Sequence, residues 1–328
     1  MEWEQAAKRL PKKMRILAVI IILTIVVALL ILLNKGDSKE DLSMKTYTGV
    51  MEPRIGYVEL QVSDLEQSLT YYKELIGFQE LERDEKTVTL TTDGTVPQLL
   101  LRKDESFVER PFRSSGLYHF AIVVPTRKDL ALSLVRIAEA GYPIQGASDH
   151  QYSEAVYLAD PDNNGIEIYV DRQSDQWERD GKGGYVGDTS PLDIENLAAE
   201  IKEDRWNGLP SGTRIGHMHL QVSDIEESER FYVEALGLDI VAKDTHMLFV
   251  SKDAYHHHIR MNIWAGKGLP APPENALGLK YFTLHFNEEE YHRAKENLVR
   301  LGFKYSEDNK EMFVNDPSGN TIKILMKN

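Results

Sequence analysis

The chain has 328 residues, with 38 Lys and Arg against 52 Asp and Glu, a net charge of −14 and no cysteine. Such acidity argues against a nucleic-acid binder, because a phosphate backbone would be repelled rather than neutralised. Without cysteine there are neither disulfides nor thiolate metal sites, so any metal must sit on His, Asp or Glu.

The first element is a membrane segment. Ile16 to Leu33 is an 18-residue apolar run broken only by Thr24, and as a helix it would span about 27 Å, close to the hydrocarbon thickness. Lys8, Arg9, Lys12, Lys13 and Arg15 precede it, while residues 35–41 are nearly balanced in charge. The positive-inside rule then puts the N-terminus in the cytoplasm and the large C-terminal part outside, as a single-pass cell-membrane protein. A cleaved signal peptide is the rival reading, but its apolar region would be shorter and followed by a small-residue cleavage site. Residues 1–35 are thus the basic flank and anchor, and 36–52 a polar tether.

From residue 53 the chain reads as four similar modules, each a strand, a helix and three more strands. In the first, Ile55 to Val62 alternates as a strand and Leu65 to Ile76 has helical spacing before Gly77. The second opens at Leu117, carries a helix from Arg127 to Ala140 ended by Gly141, and closes at Val170. Residues 173–212 form a linker with a predicted helix from Pro191 to Glu203, capped by Thr189 or Ser190. The third module opens at Ile215 and closes with the stretch 255–264. The fourth opens at Leu279, has a helix around Glu288 to Leu301, and closes at Met326. Matching turns at Asp160–Pro161 and Asp316–Pro317 mark modules two and four. Two units follow: 53–172 (modules one and two) and 213–328 (modules three and four).

The duplication is explicit. Residues 55–78 and 215–238 are identical at 12 of 24 positions at a constant offset of 160, yet Tyr57 in one copy is His217 in the other. One site kept its chemistry and the other lost it.

This pattern resembles the vicinal oxygen chelate superfamily (glyoxalases, bleomycin resistance proteins and extradiol dioxygenases), and within it the Bacillus-type catechol 2,3-dioxygenases. The resemblance implies an α+β fold, with four βαβββ modules forming two paired barrels around a divalent metal. Ligands in that superfamily come from the first and last strands of paired modules. First-strand positions are Tyr57, His119, His217 and Tyr281. Last-strand positions are Leu99–Leu101, Glu167, one of His256–His258, and Lys323. Pairing one with two and three with four leaves both sites incomplete. Crossed pairing, two with three and one with four, gives one complete metal site of His119, Glu167 and His217, and one degenerate site.

Two His and one carboxylate suit non-haem Fe(2+), although Mn(2+), Zn(2+) or Ni(2+) occupy similar N/O sites. The open face would take a small aromatic substrate and O2. The extradiol signature is matched by His150, Val156, Tyr157, Asp160, Pro161 and Glu167, with departures at Ser148 and Asn163; Asn tolerates the positive φ that such a turn asks for. The resemblance makes His150 the acid–base group and Tyr157 a hydrogen-bond donor to substrate oxygen. Strand alternation through residues 255–261 would put His256 and His258 on one face, with His258 favoured as lining the site and His256 next. Three functions are weighed. The first is a membrane-anchored extradiol dioxygenase. The second is another metalloenzyme of glyoxalase or thiol-transferase type, which would need a fourth ligand such as His258. The third is a non-catalytic binder using the cavity of modules one and four. No oligomeric state is read from the sequence.

Overall fold

A computed structural model describes residues 54–179, 185 and 189–327. The apolar run 16–33 lies outside them. Among the described residues no helix is long and apolar enough to cross a membrane.

Among the described residues seventeen strands form two mixed sheets, one of eight strands and one of nine. The first module contributes β1 (Ile55–Gln61), β2 (Gln79–Arg83), β3 (Thr87–Thr91) and β4 (Leu99–Arg102). The second contributes β5 (Gly116–Val123), β6 (Gly146–Asp149), β7 (Ser153–Ala159) and β8 (Gly165–Asp171). After β9 (Ser190–Pro191) come β10 (Arg214–Gln221), β11 (Asp239–Lys243), β12 (Met247–Ser251) and β13 (Ile259–Asn262), then β14 (Gly278–Phe286), β15 (Tyr305–Asp308), β16 (Glu311–Asn315) and β17 (Thr321–Met326).

The sheets cross the halves of the chain. One runs β15-β16-β17-β14-β1-β4-β3-β2, joining modules four and one. The other runs β11-β12-β13-β10-β5-β8-β7-β6-β9, joining modules three and two. Each is centred on an antiparallel pair of first strands, β1 with β14 and β10 with β5. The alternating residues Val58 and Leu60, Phe120 and Ile122, Met218 and Leu220, and Phe282 and Leu284 all turn into one shared core. The opposite residues of the same strands face away from that core, and there the sites are built.

The helices of the four modules follow their sequence signals. The segment Leu65–Thr70 is α-helical, capped by Asp64, and continues as a π-helical turn over Tyr71–Ile76; the segment Ile225–Glu229, capped by Asp224, continues in the same way over Arg230–Ala235. Arg127–Glu139 and Glu288–Leu301 each open with a capping box, from Thr126/Asp129 and Asn287/Glu290, as that residue pairing favours. The tyrosines of the two π turns are struts. Tyr72 donates to Asp160 at 2.8 Å, and its repeat Tyr232 donates to Asp316 at 2.9 Å. These bonds tie module one to two and three to four, across the sheets.

The linker departs from expectation. Its helix covers only Ile194–Ala198 and is capped by Asp193, whose side chain accepts from the Asn196 backbone amide. Ser190 and Pro191 instead pair with β6 as an edge strand, which suits a proline that has no N–H to give to a ladder. The stretch 255–261 also departs: β13 starts only at Ile259, because Asp253 and Ala254 both take left-handed backbone with φ of 57° and break the extension before the three histidines.

Candidate metal centre

The register fixes the site. β5 and β8 run parallel with Ala121 opposite Glu167, so the Glu167 side chain stands beside that of His119 on one face. β10 runs antiparallel to β5 with His219 opposite His119 and His217 opposite Ala121. The pairing slips by one residue at Tyr118 and again at Gly216, and such bulges re-aim neighbouring side chains. Gly216 is required by space as well: a Cβ there would lie 1.8 Å from the Tyr169 hydroxyl oxygen.

The three expected ligands come together from three strands. One donor atom from each of His119, Glu167 and His217 lies within 4.8 Å of the others, and all three residues are buried. His217 Nε2 sits 3.2 Å and His119 Nε2 2.9 Å from the same oxygen, Glu167 Oε2. The His119 nitrogen nevertheless lies off the line a hydrogen bond needs and is buried with no hydrogen-bond partner. Two imidazole nitrogens converging on one carboxylate oxygen fit a cation better than a hydrogen-bond network, and this donor set suits a divalent first-row metal. Burial alone would raise the Glu167 carboxyl, but the imidazoles of His217 and His119 outweigh it and hold it well below the usual carboxylate range. The carboxylate is therefore ionised and ready to ligate.

His150 and Tyr157 join this centre. Tyr157 stands directly opposite Glu167 in the β7–β8 ladder, and its ring centroid lies 5.6 Å from that of His119. His150 follows β6, and its Nε2 is 2.6 Å from the Tyr157 hydroxyl. Its Nδ1 is 3.3 Å from the Thr189 hydroxyl. Burial pushes the His150 imidazole down to about 4 and the Tyr157 phenol well up. At neutral pH the pair is an uncharged imidazole hydrogen-bonded to an un-ionised phenol. Asn163 takes φ of 63°, as the turn before Glu167 asks.

The histidine run behaves differently from expectation. His258 Nδ1 lies 2.8 Å from the Ser251 hydroxyl and accepts from the Lys252 backbone amide at 3.2 Å. The ring that packs on His217 is His257, at 4.2 Å between centroids. His256 Nε2 lies 2.7 Å from Asp171 and its ring stacks on Tyr152. The alternation argument failed because these residues precede the strand.

Three neighbours were given no part in the site by the sequence, His219 reading as structural or surface, Trp264 as core and Arg260 not at all. His219 packs 4.6 Å from His119, its Nε2 2.7 Å from Asn262 Nδ2. A period-2 reading of the segment 217–219 would have put it on the face of His217. Arg260 stands opposite His219 in the β10–β13 ladder. Trp264, 45% exposed, covers Arg260 and meets Tyr118 edge-on at 5.5 Å.

The other sheet carries the same geometry without the donors. Tyr57 and Tyr281 meet edge-on at 6.0 Å, and Lys323 Nζ reaches the Tyr57 hydroxyl at 3.1 Å and Glu311 at 2.7 Å. Tyr57, Tyr281 and Phe313 enclose that ammonium, with ring centroids 5.4–6.0 Å away. Beside it Glu59 takes the place of His219 and is paired with Arg102 at 2.6 Å. A cation of the chain itself fills this second cavity.

Comparison with known proteins agrees with this layout. The family model described as the Glyoxalase/Bleomycin resistance protein/Dioxygenase superfamily matches residues 54–168 and 214–324. A catechol-2,3-dioxygenase of Bacillus subtilis is 45% identical over 280 residues, covering 84% of this chain and 98% of that protein. Among solved structures, a putative dioxygenase from Bacillus subtilis aligns with TM-score 0.60 at 12% identity, covering 86% of each chain. Glyoxalase I from Zea mays aligns with TM-score 0.51 at 16% identity, covering 83% of this chain and 92% of that one. At such identities the structures speak for the fold alone.

Proposed function

Since this chain belongs to the glyoxalase/bleomycin resistance protein/dioxygenase superfamily, we propose that it is an extradiol dioxygenase that opens catechol-type rings with O2 at a non-haem Fe(II). That it is a dioxygenase-like enzyme follows from its relative of 45% identity over nearly the whole of that protein. The observation that carries the finer reading is the His150–Tyr157 pair standing beside His119, Glu167 and His217.

The proposed roles follow from atoms. His119, His217 and Glu167 would hold the metal, leaving an open face. Bound there, the metal supplies a Lewis acid and a route for electrons between an electron-rich ring and O2. His150 Nε2, uncharged at neutral pH, accepts a proton from a catechol hydroxyl and returns it later in the reaction; such positioned acid–base groups contribute about 10²–10⁴-fold. Tyr157, kept un-ionised by burial, turns its hydroxyl hydrogen from His150 Nε2 to a substrate oxygen when the ring enters, which frees that nitrogen for the catechol proton. The packed rings of Tyr152, Tyr169 and His257 keep water away from these steps.

The rival readings are weaker for stated reasons. A glyoxalase-type site needs a fourth protein ligand, yet the register position matching Glu167 in module three is held by Arg260, a cation. A binder using the second cavity would have to displace Lys323 and its partners. The apolar run 16–33 with its basic flank supports a membrane-anchored, outward-facing enzyme, and the two central strand pairs support curved, barrel-like enclosure of each site. The test is anaerobic Fe(II) loading of the full chain followed by catechol in air. The yellow ring-opened product should form with uptake of O2, and Glu167→Ala should abolish it. A protein that holds Fe(II) yet leaves every catechol intact rejects the proposal.

A further inference from the structure

Arg260 is a strong positive charge beside the ligands that the roles above leave unused. A guanidinium offers five N–H donors. Here Nε is buried with no hydrogen-bond partner, and Nη2 reaches only the sulfur of Met247, at 3.8 Å. Among the described residues no carboxylate pairs with it. The contrast within the same molecule is Arg102, on the corresponding last strand of module one, which is paired with Glu59 at 2.6 Å. Arg260 instead lies over Phe249 and Trp264, 4.6 and 5.0 Å from their centroids. Aromatic faces stabilise the cation and hold its plane, but they do not use its edge donors.

Its place in the sheet sets how far its strand stands from that of His119. Across the sheet stand Glu167 on β8, His119 on β5, His219 on β10 and Arg260 on β13. With strands about 4.8 Å apart, β13 lies about 10 Å from β5. That is the reach of a dihydroxyphenyl ring bearing one short acidic arm. Tyr118 and Trp264, half-exposed, wall the same end. Arg260 stands directly opposite His219, whose ring packs 4.6 Å from that of His119, so it lies on the face of the sheet that carries the ligands.

We propose that Arg260 selects the substrate by taking a carboxylate carried on the aromatic ring whose two hydroxyls face His119, Glu167 and His217. The inference rests on the ring-cleavage reading. A partly buried cation without a counter-charge is costly, and a planar carboxylate answers its fork of donors with two parallel bonds. The preferred substrates are then catechols with an acidic side arm rather than plain or alkylated ones.

The experiment compares kcat/KM for 3,4-dihydroxyphenylacetate and for 4-ethylcatechol, a neutral relative of similar size, on the Fe(II)-loaded full chain. The acid is the better substrate in the unmodified protein. In Arg260→Met the ratio of acid to neutral falls about 10- to 100-fold; in Arg260→Lys it falls less, because the charge remains but the fork is gone. Iron content equal to that of the unmodified protein shows that both variants are folded. A ratio unchanged within twofold overturns the proposal. Calorimetry on the metal-free protein with phenylacetate against ethylbenzene decides the point without turnover. Tighter binding of the anion, lost in Arg260→Met, supports the assignment, and no difference overturns it. Should the loaded protein cleave no catechol while the metal-free protein still prefers the anion through Arg260, the dioxygenase reading fails and the anion site stands.

Discussion

Lys323 occupies in one sheet the register position that Glu167 occupies in the other. Glu167 lies opposite Ala121, two residues beyond His119; Lys323 lies opposite Thr283, two residues beyond Tyr281. An anion that gathers two imidazoles has been exchanged for a cation that gathers three aromatic rings and Glu311. One half of the duplicated scaffold thus recruits a metal, and the other carries its own positive charge.

This exchange sets the metal stoichiometry. The full chain should bind one Fe(II), measured by plasma emission after anaerobic loading and desalting. Glu167→Ala should weaken binding by more than about 100-fold, while Lys323→Met should leave the value at one. A second equivalent retained in the unmodified protein would contradict the assignment of the second cavity.

His150 makes its contact with Tyr157, not with the ligand cluster. His150→Phe is therefore expected to lower kcat by about 10²–10⁴ while the iron content stays at that of the unmodified protein. Loss of iron in this variant would make His150 a ligand instead.

Acid should destabilise the fold. Unfolded His150 binds a proton at its ordinary value of 6.5, but folded His150 only at about 4. Between those pH values the unfolded chain holds more protons, so stability rises with pH and levels off above the ordinary value. His119, His219, His256, His257 and His258 are lowered by burial in the same direction. Glu167 adds a loss at still lower pH, as acid protonates a carboxylate that the fold keeps ionised. Thermal unfolding of the metal-free protein should show Tm falling by about 5 °C or more from pH 7.5 to 5.5. A flat profile would show that these imidazoles are not held neutral.

Gly216 is a steric test of the bulge. Gly216→Ala drives a methyl into Tyr169, whose hydroxyl is bonded to that of Tyr255, itself a donor to Asp171 at 2.9 Å. The expected cost is about 1–3 kcal/mol in urea unfolding, with weaker metal binding as His217 shifts. Wild-type stability would mean that the strand can bend out of the way.

The four-module plan was legible because strand and helix periods are carried by local residues such as Val58, Leu60 and the caps Thr126 and Asn287. The crossed pairing was legible for a different reason: ligand-type residues sat in modules two and three, and Tyr57 and Lys323 ruled out the alternatives. His258 was misplaced because strand alternation was extended backwards through Asp253 and Ala254, whose left-handed backbone the sequence does not advertise. The linker helix came out short because Asp193 caps it, while Ser190 and Pro191 are used by a sheet edge. Arg260 was overlooked because an arginine on a strand looks like a solvated charge until its neighbours turn out to be Phe249, Trp264 and the ligand sheet.

The interleaving of the halves bears on how the chain is born. When a ribosome has released residues up to the linker, β1 and β5 each present a bare edge whose mate, β14 or β10, is still unsynthesised. The nine-stranded sheet cannot be completed until Asn262 has emerged, nor the eight-stranded one until Met326 has, and pairings over such sequence separations are slow to form. For that interval the nascent first half must be shielded from other strands, and a truncated product would be expected to aggregate rather than survive as a smaller enzyme.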